Sequence, residues 1–271
     1  MILACLCGVL TMHPHESVLL LPSEGNNGLV QNSFMLETGS AHRADTYLSP
    51  LHYDGWSGAL GYSHSRAFQT KPLMWRLDVS LDIDHTDNPV RNAVMLGLQF
   101  ETRWSFLKRW RVAKMVEVGA GAATTLDAGA LYLSRNGNNP VAANASWTVD
   151  ASAYASACFR IGDMPVTTTY RANLPVIGAM FAPDYGQLYY EIYLGDSKGI
   201  FTGAYWGRYF RLDQRVTAEL TLRPGKSLLL GYGADILSTK VNGIVTRRIN
   251  HSFIVGLTVG WFSFTPKKAA K

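Results

Sequence analysis

The sequence contains no long hydrophobic run, and this shortage excludes a helical membrane protein. No window approaches the roughly 20 consecutive apolar residues of a transmembrane helix, although 47% of the residues are hydrophobic. The apolar residues are therefore distributed in short segments. Charged residues make up only 17% of the chain, and its 25 Lys and Arg are interleaved with 20 Asp and Glu. No basic run is present, so we predict no nucleic-acid partner.

Cysteine is too sparse to build a disulfide framework or a metal site. The chain holds only Cys5, Cys7 and Cys158, and these form no CxxC pair. The sequence also lacks the GxSxG, HExxH, P-loop and dinucleotide-binding fingerprints. We therefore predict no cofactor and no metal ion, and we assign no catalytic residue.

What the chain has in quantity is alternation of apolar and polar residues, which is the period of a β-strand. Residues 75–84 show it clearly: Trp75, Leu77, Val79, Leu81 and Ile83 lie on one face, opposite Arg76, Asp78, Ser80, Asp82 and Asp84. The pattern recurs over residues 94–101, 147–160, 166–173, 188–194, 216–222, 228–235 and 253–262. Repeated amphipathic strands are typical of a barrel that shows one face to lipid and the other to its lumen.

Weaker alternation near residues 29–40, 55–65, 114–124 and 200–210 brings the count to about twelve strands. We therefore predict an all-β fold, a transmembrane antiparallel up-and-down β-barrel with periplasmic termini, located in the bacterial outer membrane. The barrel domain is predicted over residues 21–264. A basic tail follows over residues 265–271. Residues 1–20 are predicted to be a leader or its remnant, since residues 1–12 are apolar like a signal-peptide h-region but lack a basic n-region.

The lengths of the connections between strands predict which end of the barrel faces outward. Three short connections are assigned to the periplasmic side, namely Gly162–Asp163, Gly195–Gly199 and Arg223–Lys226. An inner turn at 106–111 is assigned to the same side. The long connections, near 41–54, 125–146 and 174–187, are assigned to the outside, as is the short one at 211–214. A soluble β-sandwich or barrel is the alternative, but long strands and this asymmetry favour lipid.

The polar faces of the predicted strands carry both signs of charge. In a membrane barrel these side chains point into the lumen, where buried charges must be paired or hydrated. We predict a lumen charge network, which gives rigidity or lines a narrow path for a small polar solute. Its predicted members are Arg76, Asp78, Asp82, Glu101, Arg103, Glu117, Asp150, Arg160, Arg171, Glu191, Arg208, Glu219 and Asp235.

The outer loops are rich in Asn, Asp and Tyr. Such side chains can bind a glycan or a polar head group around the mouth of a barrel, and they can equally well satisfy their own turns. The extracellular mouth candidates are Asp45, Tyr47, Arg135, Asn136, Asn138, Asn139, Asp184 and Tyr185.

An outer-membrane lipid or lipopolysaccharide-modifying hydrolase is the alternative function. A serine and a histidine two residues apart on a strand would share a face, whereas Ser63-His64-Ser65 and His251-Ser252 place neighbours on opposite faces. A long-range pair involving His42, His52, His85 or His251 stays open, and so does a calcium-assisted site on the loops. The question of enzymatic activity therefore stays open, although the sequence favours a nonenzymatic barrel.

Several stretches resemble an uncharacterised outer-membrane β-barrel family of Bacteroidota-type bacteria. They are residues 46–51 (TYLSPL) followed by Tyr53-x-Gly55, residues 135–140 (RNGNNP), residues 175–186 (PVIGAMFAPDYG) and residues 189–192 (YYEI). The resemblance implies a fold and a location, and it transfers no catalytic residue because the function of that family is unknown. Such membranes often assemble barrels into larger machines, which implies an accessory role.

The leading hypothesis is therefore an outer-membrane β-barrel with a structural, accessory or small-solute transport role, as a subunit of a larger outer-membrane complex. Its predicted partners are outer-membrane lipids, lipopolysaccharide and other outer-membrane proteins.

Overall fold

A computed structural model describes residues 28–263, except 69–70, 185–193 and 195–198. The predicted leader and tail lie outside the described residues, as does all but Leu194 of the predicted strand 188–194. In the described part of the chain, no helix is long and apolar enough to cross a membrane.

Eleven β-strands follow one another along the described chain. They are β1 (Gly28–Asp45), β2 (Ser49–Ala67), β3 (Leu73–Asp87), β4 (Val94–Ala113), β5 (Val116–Leu133), β6 (Val141–Ile161), β7 (Met164–Phe181), β8 (Phe201–Tyr205), β9 (Tyr209–Arg223), β10 (Lys226–Val241) and β11 (Ile244–Ser263).

Ten of these strands close into an antiparallel barrel, in which β1 pairs with β11 along its whole length. The remaining strand, β8, pairs with the last residues of β7, whereas β9 pairs with residues 166–173 of the same strand. The predicted all-β antiparallel barrel is confirmed, but the predicted number of twelve strands is wrong. Residues 200–210 supply the short β8, a turn at 206–208 and the start of β9, so they do not form a separate barrel strand.

The strands of the ring are longer than predicted, from 15 residues in β3 to 21 in β6. They continue through most of the predicted outer loops, which leaves turns of only 46–48 and 134–140. The predicted connections at 211–214 and 106–111 lie inside β9 and β4. The inward residues of these segments include the charged Arg109, Arg211 and Asp213, so their composition resembles that of a loop although they lie in strands that pair with their neighbours.

The barrel has two distinct ends. At the terminal end, β1 begins beside the end of β11, with Gly28 paired to Ser263. The tight turns predicted at Gly162–Asp163 and Arg223–Lys226 lie at this end, and Gly162 and Gly225 supply the positive φ that such turns need. At the opposite or distal end lie the turns 46–48, 88–93, 134–140 and 242–243 and the connection from β7 to β8. Of the turn predicted at Gly195–Gly199, residues 195–198 lie outside the described residues.

The outward surface of the barrel is apolar and the inward surface is polar, the reverse of a soluble protein. Leu36 on β1 lies directly between Leu60 and Val255 on the two neighbouring strands. These three side chains are 60%, 63% and 52% exposed. The side chains that alternate with them include the buried Glu37. A barrel with an apolar outer band and a charged interior is suited to lipid surroundings.

Candidate functional site in the barrel lumen

A layer of paired charges fills the lumen where side chains of β4, β5, β9, β10 and β11 meet. Arg211 on β9 is its centre, and its side chain is only 7% exposed. Its guanidinium contacts Glu101 on β4 at 2.5 Å, Asp235 on β10 at 2.8 Å and Asp127 on β5 at 3.3 Å. One arginine thus joins carboxylates from three other strands.

Two more arginines extend this charge layer across the barrel. Arg103 on β4 pairs with Asp213 on β9 and contacts Glu101 at 2.9 Å. Arg248 on β11 contacts Asp235 at 2.9 Å and Asp127 at 3.5 Å. Strands β4 and β9 are not neighbours in the ring, and neither are β5 and β11. These pairs therefore cross the lumen and fill its cross-section.

Hydrogen bonds from uncharged side chains hold the carboxylates of the charge layer in place. Thr125 and Thr148 donate to the two oxygens of Asp150 at 2.5 and 2.6 Å. Gln99 donates to Asp127. A buried ionic network is stable only when its charges and remaining lone pairs are satisfied in this way, so these polar neighbours are part of the layer.

Further ion pairs lie on both sides of the charge layer. Toward the distal end, Arg43 on β1 pairs with Asp84 on β3. On the other side, Arg171 on β7 reaches Asp78 on β3 at 3.5 Å, again across the barrel, and Arg76 holds the same carboxylate at 2.8 Å. The paired charges thus continue along much of the lumen.

The charge layer separates two vestibules. The distal vestibule has a volume of about 100 Å³ and mixes apolar walls, such as Leu131 and Met180, with the charged floor of Arg43 and Asp84. The terminal vestibule has a volume of about 230 Å³ and is lined mainly by hydroxyl groups and charges, with Cys158 among them. Between them lie two smaller cavities, of about 40 and 20 Å³. One water needs about 10–15 Å³ of such volume, so these cavities hold a few waters at most.

The structure places ten of the predicted network residues in the lumen. They are Arg76, Asp78, Asp82, Glu101, Arg103, Glu117, Asp150, Arg171, Glu219 and Asp235. Two others lie elsewhere: Arg160 is exposed at the β6–β7 turn, where it donates to the carbonyl of Asp163 at 2.9 Å, and Arg208 is exposed in the turn before β9. Glu191 lies outside the described residues.

Sequence reasoning missed several residues of the network, which are Glu37, Arg43, Asp127, Arg211, Asp213, Arg215 and Arg248. One pattern could have found three of them. Arg211, Asp213 and Arg215 occupy every second position and continue the polar face that ends at Glu219. The sequence prediction places Arg211 and Asp213 in an outer connection because a charged stretch resembles a turn.

The mouth candidates come together at the distal end, where most of the contacts that the structure shows are among themselves. Asp45 accepts hydrogen bonds from the backbone of Tyr47 at 2.9 Å and from Thr246 at 3.0 Å. Asn139 donates to the Tyr47 hydroxyl, which joins the β1–β2 and β5–β6 turns. The Asn136 side chain accepts from the backbone of Asn138 and Asn139 at 3.3 and 3.1 Å. These geometries are those of side chains that satisfy their own turns.

The other three mouth candidates are Arg135, Asp184 and Tyr185. Arg135 and Asp184 are exposed at the distal end, and Tyr185 lies outside the described residues. Within the described chain, no group of three or more His, Cys, Asp or Glu side chains is arranged to hold a metal ion.

Comparison with known proteins identifies the family. A family model described as "Protein of unknown function (DUF3316)" matches residues 1–268. The chain belongs to this family. The prediction of a family of unknown function is thereby confirmed. No curated protein matches the chain.

Solved structures with a similar backbone are outer-membrane proteins of Gram-negative bacteria. The outer membrane protease OmpT from Escherichia coli is 8% identical with a TM-score of 0.47, and the match covers 87% of this chain and 97% of that one. The translocator domain of the autotransporter NalP from Neisseria meningitidis is 9% identical with a TM-score of 0.43, covering 87% and 89%. An outer-membrane channel from Pseudomonas putida F1 is 11% identical with a TM-score of 0.35, covering 92% and 100%. This likeness concerns the barrel fold alone.

Proposed function

We propose that this DUF3316 protein is an outer-membrane barrel with a closed lumen that has a structural or accessory role. The observation that carries the proposal is the charge layer. Arg103, Arg211 and Arg248 cross the barrel to reach carboxylates on distant strands, and the cavity beside them has a volume of only about 40 Å³. A solute that crossed the barrel would have to break several buried ion pairs at once, at a cost of several kcal/mol for each unpaired charge.

The proposed orientation places the termini in the periplasm and the distal end outside. Bacterial barrels have short periplasmic turns and longer outer loops, and the two-residue turns 162–163 and 224–225 lie at the terminal end. The distal end carries the seven-residue turn 134–140 and the connection between β7 and β8. A source among Bacteroidota-type bacteria is part of this proposal and rests on the sequence resemblance.

The outer surface is the part of the protein through which an accessory role would act. Strands of about 20 residues tilted by roughly 40° rise about 50 Å, twice the height of a typical apolar band. The barrel therefore extends beyond the membrane, and its distal part is available to lipopolysaccharide and to other outer-membrane proteins as partners. Transport of a small solute, the other predicted role, requires the charge layer to open.

Solute flux through reconstituted vesicles tests this proposal. We expect vesicles that contain the folded protein to swell in L-arabinose or glycine no faster than protein-free vesicles, because the charge layer leaves no continuous water path. A general porin reconstituted at the same density is the positive control. Swelling at a rate that scales with the amount of folded protein would contradict the closed lumen and favour transport.

A further inference from the structure

A histidine and a carboxylate form a close pair on the outward surface near the distal end. His42 on β1 lies directly opposite Asp54 on β2, and its Nδ1 is 2.6 Å from the Asp54 Oδ1. The two side chains are 47% and 66% exposed. Because the carboxylate accepts the proton on Nδ1, the Nε2 of His42 keeps a free lone pair and is able to act as a base.

A serine occupies the position on β1 that shares a face with this histidine. Ser40 and His42 are two residues apart on one strand, so both side chains point outward. Within the described chain, the Ser40 hydroxyl forms no side-chain hydrogen bond, so it is available to donate to His42. A serine, an imidazole and an orienting carboxylate are the three parts of a nucleophilic triad.

A second anchored imidazole flanks the same serine from the other side. His251 on β11 is paired directly opposite Ser40. Its Nδ1 lies 2.6 Å from the hydroxyl of Tyr232. When the tyrosine donates this hydrogen bond, the ring proton of His251 resides on Nε2, which becomes a donor beside Ser40. An N–H donor at this place is suited to stabilise the negative oxygen of a tetrahedral intermediate.

The position of these residues indicates what they would act on. A carboxylate as exposed as Asp54 is costly in the hydrocarbon region, whereas Trp56, the next outward residue on β2, is typical of the membrane interface. Toward the terminal end the surface becomes apolar, with Phe253 and Leu36 exposed. The serine therefore lies at the boundary between head groups and acyl chains, which is the level of the ester carbonyls of membrane lipids.

We propose that Ser40, His42 and Asp54 form a catalytic triad on the lipid-facing surface that hydrolyses carboxylic esters of membrane lipids. The Ser40 Oγ attacks the ester carbonyl while the His42 Nε2 takes its proton, and His251 stabilises the oxyanion. The C–O bond to the alcohol breaks, and His42 returns the proton to the leaving alkoxide. Water activated by His42 then attacks the acyl-serine, which releases a fatty acid and restores the Ser40 hydroxyl.

A covalent probe tests the nucleophile directly. The full-length protein, folded in detergent or vesicles, is treated with an alkyl fluorophosphonate, and the modified peptide is located by mass spectrometry. We expect modification at Ser40, its complete loss in Ser40→Ala, and a decrease of at least about 100-fold in His42→Asn and Asp54→Ala, as for other triads. His85→Asn is the matched control, since His85 faces outward in the same region, stacked on Trp56, and its loss should leave the modification unchanged.

Lipid substrates distinguish the source of the ester. Release of fatty acid is measured from vesicles of phosphatidylethanolamine and, separately, from lipopolysaccharide, with wild type and Ser40→Ala at equal amounts of folded protein. Release from either substrate that is lost in Ser40→Ala supports the proposal and names the lipid. Absence of both fluorophosphonate modification at Ser40 and fatty-acid release from the folded wild type would overturn it. The closed lumen would be unaffected, because no residue of the triad belongs to the charge layer.

Discussion

Replacement of Arg211 by alanine is expected to lower the free energy of unfolding by about 3–5 kcal/mol, the usual cost of removing one partner from a buried ion pair. Its guanidinium contacts Glu101, Asp127 and Asp235 within 3.3 Å. Without it, these carboxylates stay inside the lumen with too few positive partners. The value is measured by urea unfolding in lipid vesicles, followed by tryptophan fluorescence.

Two variants separate this effect from a general loss of arginine. Arg208→Ala removes an exposed arginine three residues away and is expected to change the unfolding free energy by less than about 0.5 kcal/mol. Arg211→Ala combined with Glu101→Gln removes one of the negative charges left in excess, so it should be more stable than Arg211→Ala alone. Equal stability of Arg211→Ala and Arg208→Ala would show that the charge layer does not hold the barrel together.

An arginine in place of Leu36 is expected to destabilise the barrel in vesicles by about 2–4 kcal/mol, the cost of a cation on the lipid face near the bilayer centre. Leu36 is 60% exposed and is flanked by two exposed apolar side chains, Leu60 and Val255. In water such a substitution at an exposed position would change stability by only about 0.5 kcal/mol. The difference therefore reports whether this surface contacts lipid.

The matched control places the same charge outside the apolar band. Asn138 is exposed in the β5–β6 turn at the distal end, so Asn138→Arg should leave the unfolding free energy nearly unchanged. If Leu36→Arg were tolerated as well as Asn138→Arg, the outward face would not be the lipid face, and a soluble barrel would explain the protein better.

Alternation predicted the two faces of the barrel well because it is a local property. Residues 75–84 place their apolar side chains outward and their charges inward, as the pattern requires. The limits of the strands were harder to predict, since lumen-facing polar residues such as Arg211 and Asp213 resemble a turn. The predicted number of strands was wrong for a related reason. The alternation predicted one continuous strand over residues 200–210, whereas the structure has a turn at 206–208.

Contacts across the barrel could not be predicted from the sequence. Arg103 and Asp213 are 110 residues apart, and their meeting depends on the register of every strand between them. The same holds for Arg248 and Asp127. Alternation shows that a charge points inward, but it does not show which charge it faces.

The proposed triad could not be predicted from the sequence because the position of one turn was wrong. Ser40 and His42 have the spacing that places two side chains on one face, and the orienting Asp54 follows twelve residues after His42. Residues 41–54 were predicted to be an outer loop, so no face was assigned to His42 or Asp54. Only the register of β1 and β2, which are joined by a turn at 46–48, shows that these two residues lie opposite each other.

The central claim is that the charge layer closes a barrel whose distal end faces outward, and cysteine accessibility in intact cells tests it most directly. Ala142→Cys lies in the distal vestibule and Ser65→Cys in the terminal vestibule. A small, charged methanethiosulfonate reagent that does not cross membranes is added outside, and the modified peptides are identified by mass spectrometry. We predict that Ala142→Cys reacts in intact cells, while Ser65→Cys reacts only after the outer membrane is disrupted. Reaction of Ser65→Cys in intact cells would contradict the account, because the lumen would then be open or the barrel inverted.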